Sequence, residues 1–194
     1  MPRYLAFAGS ARKDSYNKRL VRIAAQGAGH AGAEVTVIDL GDFSMPIFDQ
    51  DLESAEGMPE KAREFKNLMV QHDGFLIASP EYNSFYSPLL KNALDWASRK
   101  ESDDEPPLIA FRGKNAAIMA ASPGGFGGMR GLIYLRMLLS GLGVLVLPDQ
   151  VSVPGAFKAF SGKGDLLDEN IHLAVLGLGK KMAEFCGPGP AGKE

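Results

Sequence analysis

The sequence has a single cysteine, Cys186, so no disulfide can form within the chain. That fits a reducing compartment, and a cytoplasmic protein is expected. Histidine is scarce as well. His30, His72 and His172 lie far apart and lack metal-ligand spacing, so each is read as a surface or helix-end residue and no metal site is expected. The zinc-protease H-E-x-x-H and the redox or metal C-x-x-C are missing. So are the hydrolase elbow G-x-S-x-G, the dinucleotide fingerprint G-x-G-x-x-G after the first strand, and the phosphate loop G-x-x-x-x-G-K-[ST]. Apolar runs such as Val144 to Leu147 and Leu173 to Leu178 are far too short to span a bilayer. The N-terminus reaches Ser10, Arg12 and Lys13 without a signal-like apolar stretch, so no membrane partner is expected. A net charge of -2 offers no basic field for nucleic acid. It is also too weak for the acidic docking face of an electron carrier, which is the alternative function considered for this chain.

What is present is an ordinary globular composition: 194 residues, 45% hydrophobic and 23% charged. That length fits one domain, expected over residues 1–187, followed by a flexible Gly- and Pro-rich tail at 188–194. Five short runs read as strands: Tyr4 to Ala8, Val35 to Leu40, Gly74 to Ser79, Asn115 to Ala121 and Val144 to Leu147. Most are apolar at nearly every position, the pattern of parallel strands buried on both faces. Helical spacing lies between them, at about Tyr16 to His30, Pro59 to Gln71, Pro88 to Arg99, Gly128 to Ser140 and Leu166 to Phe185. Ser87 is a plausible N-cap before Pro88. Gly41 to Gly57 reads as a long loop, and Asp103, Asp104 and Glu105 as a solvated one. Strict alternation of strand and helix predicts a doubly wound α/β sandwich with a five-stranded parallel sheet in the order 2-1-3-4-5. Ligands then bind outside the carboxyl ends of the strands.

Three loops fall at that edge. After the first strand, Gly9 to Asn17 carries Ser10, Arg12, Ser15 and Asn17 into a helix start, an arrangement that suits an anion. Lys18, Arg19 and Arg22 add positive charge that opposes the helix dipole unless something negative lies near. After the third strand, Ser79 to Ser87 holds three aromatics that suit a planar ring. After the fourth, Ser122 to Arg130 holds four glycines that permit close backbone approach. Taken singly, each has a plain alternative: a solvated basic helix start, aromatics packed on the sheet edge, or a flexible connection. Taken together they suit a phosphorylated planar ligand, and FMN is the default candidate for this topology.

These same residues resemble the NAD(P)H-dependent FMN reductase family, which includes quinone and chromate reductases. The resemblance rests on Gly9-Ser10-x-Arg12-x-x-Ser15-x-Asn17, Pro80-Glu81-Tyr82-Asn83, Leu90-Lys91-Asn92-Ala93-Leu94-Asp95-Trp96, and Ser122-Pro123-Gly124 with Gly128 and Arg130. It covers about residues 3 to 150. It implies a flavodoxin-like three-layer sandwich with non-covalent FMN and NAD(P)H as co-substrate. It also implies a small-molecule acceptor such as a quinone or free flavin, and a homodimer or homotetramer. By position, Ser10, Arg12, Ser15, Tyr16 and Asn17 would hold the phosphate. Pro80, Glu81, Tyr82 and Asn83 would line one edge of the ring, and Ser122, Gly124 and Gly125 the opposite edge. The family commonly has Gly-Ser-x-Pro-Gly after the Asn, where this chain has Ser84-Phe85-Tyr86-Ser87-Pro88. Lys91 to Trp96 is read as structural or as an interface. No side chain is assigned as a catalytic acid or base, because a bound flavin carries the redox chemistry.

Overall fold

The sheet of the computed structural model, which describes residues 1–185, has five parallel strands in the order β2-β1-β3-β6-β7. They are β1 (Arg3–Ala8), β2 (Glu34–Val37), β3 (Gly74–Ala78), β6 (Asn115–Ala121) and β7 (Leu145–Val153). A two-stranded antiparallel hairpin, β4 (Glu81–Tyr82) with β5 (Phe85–Tyr86), lies outside the sheet. Counting sheet strands alone, the order is the expected 2-1-3-4-5. Cys186 and the expected tail lie outside the described residues. Among the described residues no helix is long and apolar enough to cross a membrane.

The central strands are buried at every position of β3 and β6. Alternate residues serve two separate cores, as the strand period of two requires. Tyr4, Ala6, Ala8, Leu76, Ala78, Ala117 and Met119 face α1 (Tyr16–His30) and α6 (Glu169–Glu184). Leu5, Phe7, Phe75, Ile77, Ala116 and Ile118 face α3 (Glu60–Gln71), α4 (Pro88–Ala97) and α5 (Met129–Gly141). α1 and α6 pack backbone against backbone. A Cβ added at Gly27 would sit 2.0 Å from the Leu176 carbonyl oxygen, and one at Gly179 would sit 1.9 Å from that of Ala24.

Three expectations need correction. Part of the segment read as the Gly41 to Gly57 loop forms α2 (Gln50–Glu56), capped by the Asp49 carboxylate, which accepts from the Asp51 and Leu52 N–H groups. No residue of α2 is buried, so it has no apolar stripe to read. The last strand does not stop at Leu147 but continues through Pro148 to Val153. An irregularity between Ala116 and Ile118 carries this edge strand past the proline, and the Arg136 guanidinium donates to the carbonyls of Val146, Leu147 and Pro148 there. Glu105 is not merely solvated. It accepts from the Nζ of Lys66, a buried residue of α3, and from the Glu101 N–H. A buried ammonium needs such a partner.

The Lys91–Trp96 segment has a structural use. Asn92 accepts from the Phe48 N–H at 2.7 Å and donates to the Pro46 carbonyl at 2.9 Å, which also accepts from the Trp96 indole at 2.8 Å. His72 is the C-cap residue of α3, and its ring nitrogens face the Leu68 carbonyl and the Thr36 hydroxyl.

Candidate active site

The first loop joins β1 to α1. Ser15 is the N-cap residue, yet its hydroxyl makes no capping hydrogen bond, and the first turn holds no acidic residue. The helix start therefore keeps its backbone N–H groups and dipole available to an anion. The side chains of Ser10 and Ser15 are buried beside it. Arg12 is exposed and makes no ion pair among the described residues. Two neighbours behave differently from their sequence reading. Lys18 is buried and paired with Asp39 at 2.5 Å. Partial burial raises the Asp39 carboxyl pKa, but the Lys18 hydrogen bond, the Gly41 N–H and nearby positive charge prevail and hold it below its usual range. Asn17 commits its amide to the sheet: Nδ2 donates to the Ala121 carbonyl and Oδ1 accepts from the Ala121 N–H, both at 2.9 Å.

The second loop is the β4–β5 hairpin. Asn83 and Ser84 form its two-residue turn with φ of 51° and 69°, the left-handed pair of a type I′ turn. The Glu81 side chain is 6% exposed and lies over the start of α5, pairing with Arg130 and accepting from the Gly131 N–H at 3.2 Å. It supplies the charge that α5 lacks, since Gly128 offers no side-chain cap. Ser87 caps α4 as expected. Its oxygen accepts from the Leu90 N–H, and its hydroxyl donates to the Gly9 carbonyl at 2.5 Å, tying the second loop to the first.

The third loop leads from β6 to α5. Gly128 has φ of +90°, and a Cβ there would lie 2.6 Å from that of Ala120, so only glycine fits. Arg130 also lies over the Phe126 ring, 5.1 Å from its centroid.

One cleft of about 390 Å³, counting space open to solvent, lies where the three loops meet. Ser10, Arg12, Ser15, Tyr16 and Asn17 line it from the first loop, Pro80, Glu81 and Tyr82 from the second, and Ser122 from the third. Asn83, at the hairpin tip, and Gly124 and Gly125, on an exposed turn, are not in its wall. Ala121 and Pro123 line it and were not singled out from the sequence, although they flank Ser122. Tyr16 is held by stacking on Phe160, with ring centroids 5.7 Å apart. Buried hydroxyls, an uncapped helix start and an unpaired arginine form a donor set suited to a phosphomonoester. The proline and aromatic wall opposite suits a flat ring.

A family model described as NADPH-dependent FMN reductase matches residues 2–158. The chain is 37% identical over 166 residues to an NAD(P)H-dependent FMN reductase of Pseudomonas aeruginosa, covering 85% of this chain and 84% of that protein. It is 37% identical over 190 residues to an NAD(P)H:quinone oxidoreductase of Solanum tuberosum, covering 92% and 93%. Among solved structures it is similar to the flavoenzyme NAD(P)H:(acceptor) oxidoreductase FerB of Paracoccus denitrificans. The TM-score is 0.76 and the identity 26%, over 95% of this chain and 96% of that one.

Proposed function

This chain belongs to the NADPH-dependent FMN reductase family, and on that footing we propose that the cleft holds FMN and that the protein reduces small acceptors, quinones or free flavin, at the expense of NAD(P)H in a ping-pong cycle. The observation that carries this reading is the meeting of three loops, from β1, β3 and β6, in one cleft with an anion-seeking end and a ring-sized wall. Bound FMN supplies the redox chemistry, taking reducing equivalents from the nicotinamide cofactor and returning them to the acceptor. The protein binds and orients. Ser10, Arg12, Ser15 and the start of α1 hold the phosphate. Asn17 fixes the first loop to β6 through Ala121, and Tyr16 closes the wall between them. Pro80 and Tyr82 face the ring. Glu81 and Asn83 set the hairpin, Glu81 by its anchor on Arg130 and Asn83 by its turn. Ser122 offers the opposite edge, with Gly124 and Gly125 on the exposed turn beyond it. Donor and acceptor would use the cleft in turn, with the protons the acceptor takes up drawn from solvent, and no side chain of the wall is assigned as an acid or base.

The test is optical. The purified protein is expected to be yellow, to bleach on NADPH addition, and to recover its bands only when a quinone follows. A colourless protein that takes up no FMN would end this reading.

A homodimer or homotetramer working in the cytoplasm fits the same reading. Ile133, Tyr134 and Met137 form an exposed apolar strip on α5, and the Phe85 ring lies 4.7 Å from that of Tyr134. Light scattering of Tyr134→Glu against the parent chain tests it, and a parent monomer at micromolar concentration would refute it.

A further inference from the structure

Beside the cleft, along α1, lies a second concavity that the reading above does not use. It is a groove of about 520 Å³, counting its open side. One wall is a stripe of α1 with Arg19, Arg22 and Gln26. The other is the tip of a small hairpin closed by the Phe160–Leu166 bridge, which brings Lys163 and Asp165 to the groove. The tip is well braced. Ser161 accepts through Oγ from the N–H groups of Lys163 and Asp165, both at 3.2 Å, and its own N–H donates to the Asp165 carbonyl at 2.8 Å. Gly164 turns the chain with φ of +97°.

The charge balance in the groove is uneven. Arg19, Arg22 and Lys163 face it with one carboxylate, Asp165, and none of the three makes an ion pair within 4.0 Å among the described residues. Outside the groove Arg22 also feels the Asp39 carboxylate electrostatically, but that carboxylate accepts from Lys18 at 2.5 Å and makes no ion pair with Arg22 within 4.0 Å. Like charges three apart on a helix, as at Arg19 and Arg22, destabilise it unless an anion sits between them. The groove also adjoins the cleft. The Arg19 guanidinium lies 6.0 Å from the centre of the Tyr16 ring, which lines the cleft itself. At a rise of about 1.5 Å per residue, Arg19 and Arg22 lie roughly 6 and 10 Å down the helix from Ser15. A dinucleotide is longer than the mononucleotide proposed for the cleft, and a tail passing Tyr16 meets these cations.

We propose that this groove receives the ribose 2′-phosphate of NADPH and gives the protein a preference for NADPH over NADH. The assignment rests on the nicotinamide dependence proposed above. A phosphomonoester brings about two negative charges to three unpaired cations, whereas NADH offers only a hydroxyl there.

Calorimetry on the FMN-loaded protein tests it, with NADP⁺ and NAD⁺ as probes and steady-state kinetics alongside. The parent protein is expected to bind NADP⁺ about tenfold or more tightly than NAD⁺, as expected of charge-assisted hydrogen bonds to a phosphate. Arg22→Ala and Lys163→Ala, both at exposed positions, should each erase about three- to tenfold of that ratio and leave NAD⁺ binding and flavin content unchanged. The ratio should also shrink as salt is raised. Equal binding of the two nucleotides by the parent would overturn the assignment, as would a ratio untouched in the double variant. A loss confined to free FMN against riboflavin as acceptor would give the groove to a flavin phosphate instead, and overturns it too. Failure of the underlying reading looks different: the parent would lack flavin, or neither nicotinamide nucleotide would bleach it.

Discussion

The side chain of Asn17 pairs with the backbone of Ala121 as a neighbouring strand would, giving one hydrogen bond and receiving one, each of 2.9 Å. The contact joins residues 104 apart in sequence and fixes the loop between β1 and α1 against the end of β6. Asn17→Ala leaves a buried N–H and a buried carbonyl without partners. A loss of about 2–4 kcal/mol is expected, since each orphaned group costs roughly 1–3 kcal/mol. Urea unfolding of the FMN-free chain measures it, and a change below 0.5 kcal/mol, the size of an ordinary surface substitution, would show the contact to be incidental.

Arg12 offers the opposite case. It is exposed and unpaired, so Arg12→Ala should leave the fold intact. FMN affinity should fall by about 1.5–3 kcal/mol, the value of one charge-assisted hydrogen bond to a phosphate. Fluorescence titration of FMN-free protein reads the difference. Unchanged affinity with a normal melting curve would remove Arg12 from the phosphate site.

The buried Lys66 depends on Glu105, with Glu101 at 3.5 Å as a second partner. Burial raises the Glu105 carboxyl pKa, but the Lys66 hydrogen bond, the Glu101 N–H and nearby positive charge outweigh it and depress the pKa below its usual range. A depressed carboxyl stabilises the fold above its unfolded pKa, about 4.3 for glutamate, and that contribution is lost as pH falls through the lower folded value. Glu105→Gln should cost roughly 1–3 kcal/mol at pH 7, less than a fully buried pair because Glu101 remains. The gap from the parent should narrow as the pH drops below 4. Denaturant midpoints from pH 7 to pH 3 check this, and a gap independent of pH would assign the loss to packing alone.

Two glycines of α6 should respond oppositely to alanine. At Gly179 the new Cβ would lie 1.9 Å from the Ala24 carbonyl oxygen, so the helices must part, at a cost of about 3 kcal/mol or more. At Gly177 nothing lies within 4 Å, and helix propensity alone should stabilise by roughly 0.5–1 kcal/mol. Thermal melts of the pair test the closeness of α1 and α6. Equal shifts of the same sign would contradict it.

Much of this architecture was legible because apolar runs such as Phe75–Ala78 and Ala116–Ala121 are buried on both faces, so composition alone marks them. The start of α4 was legible for a local reason: Ser87 before Pro88 is a cap signal within one turn. What escaped depends on distant partners or lacks a pattern. α2 has no fully buried residue and is held by Asp49, by the contact of Leu52 with the Trp96 cluster, and by the Glu53–Arg99 pair. The hairpin turn uses Asn83-Ser84 without glycine, so the usual turn signal is absent. The cleft residues were placed by loop position. No spacing rule shows that Asn17 turns toward Ala121 or that Glu81 crosses to Arg130, because direction is set by groups that only the fold brings near.

The irregular stretch of β7 has a further effect on how the molecule meets its own kind. An edge strand invites another strand to zip onto it. Here the oxygens of Val146, Leu147 and Pro148 are occupied by Arg136, and Pro148 has no N–H to offer. A foreign strand finds the ladder interrupted from Val146 to Pro148, so any pairing along this margin must break there.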